Sequence, residues 1–116
     1  MHELSICASI ADIVTRHAGD REVSTIHIQI GRLRQIVPET LVYCWSLVSA
    51  ETALAGTQLA VESISARIKC HACDHIAEIG EFPIFVCTEC ASTDVELISG
   101  EEFLITSLDV AEGAKT

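Results

Sequence analysis

The chain has 116 residues, of which 7 are Lys or Arg and 17 are Asp or Glu, so its formal net charge is −10. A surface this acidic repels phosphate backbones and argues against a nucleic-acid partner. Apolar residues make up 49% of the chain and aromatic residues only 4%, which predicts one domain with an aliphatic core and at most a small extra module. Six cysteines, without a signal-peptide pattern or a long apolar run, predict a reducing, cytoplasmic location and no membrane span.

The chain opens with Met1-His2-Glu3, which offers donors for a planar metal site. The terminal amine, the amide nitrogen of His2 and the imidazole of His2 can close two fused chelate rings around one ion. Ni(II) and Cu(II) prefer such nitrogen-rich planar geometry, whereas Zn(II) and Mg(II) do not. Taken alone, a histidine at position two more often belongs to a solvated terminus. The motif gains weight because it leads directly into a predicted helix.

The first predicted helix covers residues 3–18, because its apolar residues recur at spacings of three and four. Gly19 suits the end of that helix. Cys7 lies in the apolar stripe and is interpreted as a small buried side chain. A strand follows from residue 23 to residue 30, with isoleucines alternating with polar residues. His27 falls on its polar face and is not predicted to bind a ligand.

Pro38 and Glu39 begin a second predicted helix, since proline is preorganised for the first turn and a carboxylate suits the positive end of the helix dipole. Its end is predicted at Gly56. The core face of this helix is predicted at Leu41, Cys44, Trp45 and Val48. A second strand, from residue 57 to residue 69, changes parity near Ser63, which indicates either a bulge or a strand that leaves its sheet.

Two Cys-x-x-Cys pairs, Cys70 with Cys73 and Cys87 with Cys90, are separated by thirteen residues. Four thiolates at this spacing are typical of a closed, tetrahedral structural zinc site. Disulfides or a redox dithiol are the alternatives. A redox dithiol is disfavoured because each pair lies between short strands and not at the start of a helix.

Residues 70–100 contain too few apolar side chains for a core of their own, so metal ligation is expected to supply much of their folding free energy. Short strands are predicted at 77–79, 84–86 and 95–98. A last strand, 103–110, is predicted to return to the first sheet. Its inward face is assigned to Leu104, Thr106, Leu108 and Val110.

The predicted fold class is therefore α+β, with two helices packed on a small three-stranded sheet and an inserted zinc-ribbon module. The predicted domains are a helix and sheet domain formed by residues 1–69 plus 101–116, and the zinc ribbon at residues 70–100.

In order and spacing, the quoted motifs resemble those of the HypA/HybF family of hydrogenase maturation factors. The resemblance spans nearly the whole chain, and its sharpest parts are the first three residues and the four cysteines. It is carried by Met1-His2-Glu3-Leu4-Ser5-Ile6, Gly31-Arg32-Leu33, Pro38-Glu39, Trp45, the two Cys-x-x-Cys pairs and Gly100-Glu101-Glu102-Phe103.

The resemblance implies a nickel metallochaperone and not an enzyme. Its nickel site maps onto Met1, His2 and Glu3, and its structural zinc site maps onto Cys70, Cys73, Cys87 and Cys90. The implied partners are the GTPase HypB and the large-subunit precursor of [NiFe]-hydrogenase, and some members also serve urease maturation. No nucleic acid or membrane is implied, and both a monomer and a homodimer remain open.

The chain departs from the family pattern after the second cysteine of each pair, where the family commonly has glycine. Asp74 and Ala91 stand there, and alanine tolerates a positive φ poorly, so the second turn is expected to be strained. His71 and His75 are interpreted as surface residues. The alternative is that either one enters the zinc shell or binds nickel.

A zinc-ribbon adaptor that never handles nickel and a dithiol oxidoreductase are the competing functional classes. The acidic charge and the lack of a basic aromatic face argue against an adaptor for nucleic acid. One tightly held zinc ion per chain would exclude the oxidoreductase.

Overall fold

A computed structural model describes residues 3–80 and 84–111. The predicted nickel ligands Met1 and His2 lie outside the described residues. The helices and strands are, in chain order, α1 (Glu3–Ala18), β1 (Val23–Gly31), a short 3-10 helix (Arg32–Arg34), α2 (Pro38–Ser49), β2 (Gln58–Ile64), β3 (Arg67–Cys70), β4 (Ile76–Glu78), β5 (Val95–Ser99) and β6 (Phe103–Val110). The strands form two three-stranded sheets, in the orders β2-β1-β6 and β4-β3-β5. The predicted α+β class is confirmed.

The chain divides into two compact units. The helical unit draws on Met1–Gln29, Ile36–Glu62 and Leu104–Thr116, and the cysteine unit on Ile30–Gln35 and Ser63–Phe103. The functional division predicted above, 1–69 plus 101–116 against 70–100, stays a prediction.

The helical unit has an aliphatic core, as the composition predicts. Helix α1 ends at Ala18 and is followed by Gly19, whose φ of 61° is the left-handed value expected at that position. The indole N–H of Trp45 donates to the carbonyl of Thr57 at 2.8 Å, and the Thr57 hydroxyl donates to the carbonyl of Val23 at 2.9 Å. The most buried side chains are Cys7, Ile10, Val14, Ile26, Ile28, Leu41 and Trp45. This core confirms the predicted burial of Cys7 and Trp45.

Two predictions for this unit are wrong. Helix α2 ends at Ser49 and not near Gly56, because both the N–H and the hydroxyl of Thr52 bond to the Ser49 carbonyl and further turns follow. In β6, Leu104 and Val110 are exposed, whereas Phe103, Ile105 and Leu108 are half-buried. Thr106 and Ser107 are both exposed, so the alternation shifts by one residue between them.

The cysteine unit contains the second sheet. Strand β3 lies in the centre, antiparallel to both β4 and β5, and pairs Ile68 with Ala77 and with Leu97. The parity change predicted near Ser63 is a change of sheet, because β2 belongs to the first sheet and β3 to the second. The strand predicted at 84–86 is not formed, and β5 takes the place beside β3. A small core joins Ala66, Ile68, Ala77 and Ile79 to the partly buried Leu33, Val95 and Leu97.

Two glycines of the sequence motifs meet in the cysteine unit. The N–H of Gly31 donates to the carbonyl of Glu102, and the N–H of Leu33 donates to that of Gly100. A Cβ at Gly31 would overlap the carbonyl group of Gly100, and a Cβ at Gly100 would lie 2.7 Å from the Cα of Ala66. Gly100 also has a φ of 118°, which side chains rarely allow. Both positions therefore require glycine.

Candidate metal centre

The first Cys-x-x-Cys turn begins at Cys70, the last residue of β3. The N–H of Cys70 donates to the carbonyl of His75, and the N–H of Asp74 donates to the carbonyl of Cys70, both at 2.9 Å. The N–H of Ala72 points at the Cys70 sulfur from 3.3 Å. This tight turn directs two sulfurs to the same side.

The second turn repeats the first bond for bond. The N–H of Cys87 donates to the carbonyl of Ser92, and the N–H of Ala91 donates to the carbonyl of Cys87, again at 2.9 Å. The N–H of Glu89 lies 3.4 Å from the Cys87 sulfur. Asp74 and Ala91 have φ values of 65° and 63°, so the left-handed conformation expected at these two positions is confirmed.

The two turns bring four sulfurs together. All four lie within 4.8 Å of one another, and the Cys70–Cys90 and Cys73–Cys87 pairs are each 3.6 Å apart. In a tetrahedral zinc site with Zn–S bonds of about 2.3 Å, neighbouring sulfurs are roughly 3.8 Å apart. Both the donor set and its spacing therefore fit Zn(II). Of the four cysteines, Cys70 and Cys87 are buried, whereas Cys73 and Cys90 are exposed.

The protein environment separates the acidities of these thiols. Backbone hydrogen bonds from Cys90 and then Glu89 lower the pKa of Cys87 to about 6, against the opposing effect of desolvation. For Cys73 the largest single influence, a backbone hydrogen bond at His75, lowers the pKa, but desolvation and the bonds to the other three thiols together raise it to about 12. A zinc ion that binds all four as thiolates must displace the protons that remain.

His71 is held by two carboxylates that sequence analysis did not find. Its Nε2 lies 2.8 Å from Glu96 and its Nδ1 3.2 Å from Asp94, and these hydrogen bonds raise the pKa of the imidazole. Asp94 directly precedes β5 and Glu96 lies on it. Residues two apart on an extended chain point to the same side, and this spacing is the signal that could have found them. Both ring nitrogens of His71 are thus engaged. His75 is half-buried, and its carbonyl accepts the N–H of Cys70.

Of the predicted nickel residues, Glu3 alone is described, and it forms the half-buried first residue of α1. Within residues 3–80 and 84–111, the four cysteines are the one group of three or more His, Cys, Asp or Glu side chains close enough to share an ion. No helix in these ranges is long and apolar enough to cross a membrane.

The sequence model of one family, described as "Hydrogenase/urease nickel incorporation, metallochaperone, hypA", matches residues 1–110. The chain is 39% identical over 116 residues to the hydrogenase maturation factor HypA of Chlorobium limicola, covering 97% of this chain and 99% of that protein. It is 34% identical over 117 residues to HypA of Streptomyces avermitilis, covering 97% and 89%.

The fold is also similar to the solution structure of the Ni metallochaperone HypA from Helicobacter pylori. The TM-score is 0.64 at 21% identity, with 95% of this chain and 97% of that chain covered. Together with the family match over nearly the whole chain, these findings establish that the chain belongs to the HypA family of metallochaperones for nickel incorporation and hydrogenase maturation.

Proposed function

We propose that this chain binds Ni(II) at its amino terminus and delivers it to the large-subunit precursor of [NiFe]-hydrogenase together with a HypB-type GTPase. Nickel is held by the amine of Met1, the amide and imidazole nitrogens of His2, and a further donor from Glu3. The four cysteines hold a structural zinc ion. The protein acts in the cytoplasm as a carrier and has no catalytic role of its own.

The observation that carries this proposal is the family match, which begins at residue 1 and therefore includes the Met1-His2-Glu3 opening. The start of α1 at Glu3 adds support, since a metal site built on the preceding two residues would be joined to a regular helix. Nitrogen donors in a plane suit Ni(II), and four thiolates in a tetrahedron suit Zn(II). The two donor sets would thus separate the two metals by chemistry.

The two ions are expected to behave differently. The zinc ion has no open coordination position and stays with the protein. Nickel at a chain terminus is open to a partner's ligands and can leave by ligand exchange. This difference supports a division in which residues 1–69 plus 101–116 handle nickel and residues 70–100 form the zinc ribbon. The urease term in the family description supports urease maturation proteins as a second route for the metal.

The test is a Ni(II) titration of the zinc-loaded protein in four forms, followed by the absorption band of planar Ni(II). The native protein should bind one nickel ion, whereas His2→Ala and a form with two extra residues before Met1 should lose that band. His17→Ala, which alters an exposed histidine of α1, is the matched control and should bind as the native protein does. Equal binding by native and extended proteins would overturn the nickel assignment.

Delivery is tested separately with purified components. Nickel-loaded protein, the HypB-type GTPase with GTP, and the hydrogenase large-subunit precursor should together yield nickel-containing precursor. His2→Ala should give none, while keeping its zinc. Transfer at the native rate by His2→Ala would contradict the proposed route.

A further inference from the structure

Helix α2 is apolar on two sides. Leu41 and Trp45 are buried in the helical unit, yet three large apolar side chains stand on the outward side. Val42, Tyr43 and Leu47 are 42%, 64% and 51% exposed. The outward side of a helix at the surface of a domain is expected to be mainly polar. This outward side has therefore no explanation in the packing of the unit itself.

One of these three side chains, Val42, also lines an open groove. It has a volume of about 390 Å³ and runs along the last turns of α2 beside the segment that leads into β2. Val42, Ser46 and Ser49 line it from the helix, and Leu59 lines it from the strand. We call this groove, together with Val42, Tyr43 and Leu47, the α2 face. Its mixture of apolar walls and a few polar groups is typical of a surface that receives another chain.

The segment that contains the α2 face carries acidic side chains and no basic ones. The sequence from Ile36 to Ala66 contains no Lys, Arg or His, whereas it contains Glu39, Glu51 and Glu62. The last turn of α2 carries no basic side chain, so no cation of the helix itself offsets the negative end of the helix dipole. A ligand with positive charges beside its apolar side chains would complement both features.

We propose that the α2 face is a docking site for an amphipathic segment of a partner protein, whose apolar side chains enter the groove and whose Lys or Arg side chains face Glu39, Glu51 and the end of α2. Tyr43 is the main contact outside the groove, since exposed tyrosines are frequent among the side chains that carry most of an interface's energy, and Leu47 adds apolar area one turn further along α2. The mode is that of a helix lying in an apolar groove. The surface is small, which suits a transient contact.

The experiment uses the full, zinc-loaded chain and two synthetic helical peptides of 14 residues. One peptide has leucines on one face and lysines on the other, and its counterpart has glutamates in place of the lysines. Binding is followed through the backbone amide resonances. The lysine peptide should shift resonances of α2 and of residues 55–59, and the glutamate peptide should bind at least about tenfold more weakly.

Matched variants locate the contact. Leu47→Lys and Tyr43→Ala should each weaken the lysine peptide by about tenfold, as expected for the loss of a central contact. Leu104→Lys is the control, because Leu104 lies on β6 in the same unit and is 53% exposed, close to the value for Leu47. It adds the same charge and should change binding less than threefold. All variants are first shown to keep their zinc and their amide spectrum.

Four results would overturn the proposal. Equal affinity for the two peptides would show that the Lys side chains do not contribute to binding. If Leu104→Lys weakens the lysine peptide as much as Leu47→Lys does, the binding is a general attraction to an acidic protein and not a contact with the α2 face. If the chain alone sediments as a dimer that Leu47→Lys dissociates, the occupant of the α2 face is a second copy of the chain. Contacts between Leu47 and residues 112–116 in the free protein would assign the face to the chain's own terminus. None of these measurements involves nickel, so the outcome is independent of the proposed nickel site.

Discussion

The helical unit and the cysteine unit reach a folded state by different means. Among residues 3–80 and 84–111, seven of the nine largest fully buried side chains belong to the helical unit, and the other two, Ile68 and Cys70, belong to the cysteine unit. The core formed by the described residues of the cysteine unit consists of four small or medium residues and three partly buried ones. Burial of apolar surface therefore accounts for the first unit, whereas the second depends on what its four thiols bind. The two units are therefore expected to lose stability to different extents when zinc is removed or when a core side chain is truncated.

Removal of zinc has the largest expected effect. Structural zinc contributes roughly 10–16 kcal/mol of apparent binding free energy in small zinc modules, which exceeds what the core around Ile68 can replace. A strong chelator, or Cys87→Ser, should therefore unfold β3, β4 and β5 and leave the amides of α1, α2 and β1 protected. Hydrogen exchange resolved by residue measures this difference.

The matched control for Cys87→Ser is Cys44→Ser, which changes a half-buried cysteine of α2 outside the cluster. It should keep one zinc ion per chain. The comparison between the units fails if chelation unfolds both of them together, or if β3–β5 stay protected without zinc.

A cavity in the helical unit should have the reverse effect. Trp45 is 2% exposed and donates a hydrogen bond to Thr57. Trp45→Ala should lower the free energy of unfolding of the helical unit by about 3–5 kcal/mol, because the surrounding core can refill the space only in part. Denaturant unfolding followed by far-UV circular dichroism measures the loss, and zinc content should stay at one ion per chain. Loss of zinc in this variant would contradict the separation of the two cores.

The thiol of Cys7 gives a third contrast, since it serves as a core side chain and not as a ligand. Burial, with smaller effects of Cys44 and Glu3, raises its pKa from 9.0 to about 11. Because the folded state favours the neutral thiol, Cys7 makes its full contribution to the free energy of unfolding below about pH 9. This contribution is lost as the pH rises through 11. Two pKa units correspond to about 2–3 kcal/mol.

The helical unit should therefore lose stability between pH 8 and pH 11, and Cys7→Ala should lose less over the same range. Denaturant unfolding at a series of pH values, with zinc present, compares the two slopes. Identical slopes would show that folding does not raise the pKa of Cys7, which would contradict this account.

The smallest expected effect concerns the second Cys-x-x-Cys turn. Ala91 has a φ of 63°, a conformation that costs a residue with a Cβ roughly 1–2 kcal/mol, and glycine would relieve most of that strain. Ala91→Gly should raise zinc affinity by about fivefold, measured by competition with a chelator of known affinity. Asp74→Gly should raise it less, because aspartate tolerates this conformation better. A larger gain at Asp74 than at Ala91 would refute the account of strain.

Local patterns predicted the regular elements of this protein well. The spacing of apolar residues located α1, and the parity change near Ser63 indicated the point at which the chain passes from one sheet to the other. These features depend on neighbours in sequence, so a single sequence contains them. The four-cysteine cluster was equally predictable, because two Cys-x-x-Cys motifs at this spacing specify it.

Competing local hydrogen bonds, strand irregularities and contacts between distant residues were not predictable in the same way. The end of α2 at Ser49 is set by a hydrogen bond from Thr52, and Gly56, the stronger sequence signal, belongs to a later turn. The inward face of β6 depends on an irregularity between Thr106 and Ser107 that no sequence pattern predicts. The carboxylates that hold His71 lie more than twenty residues away along the chain.

The central claim is that sulfur holds zinc and that nitrogen at the amino terminus holds nickel. X-ray absorption at the nickel and zinc edges of untagged protein loaded with one ion of each tests it directly. The account predicts four sulfur neighbours at about 2.3 Å around zinc, and a planar shell of nitrogen and oxygen without sulfur around nickel. Sulfur neighbours at the nickel edge would contradict it.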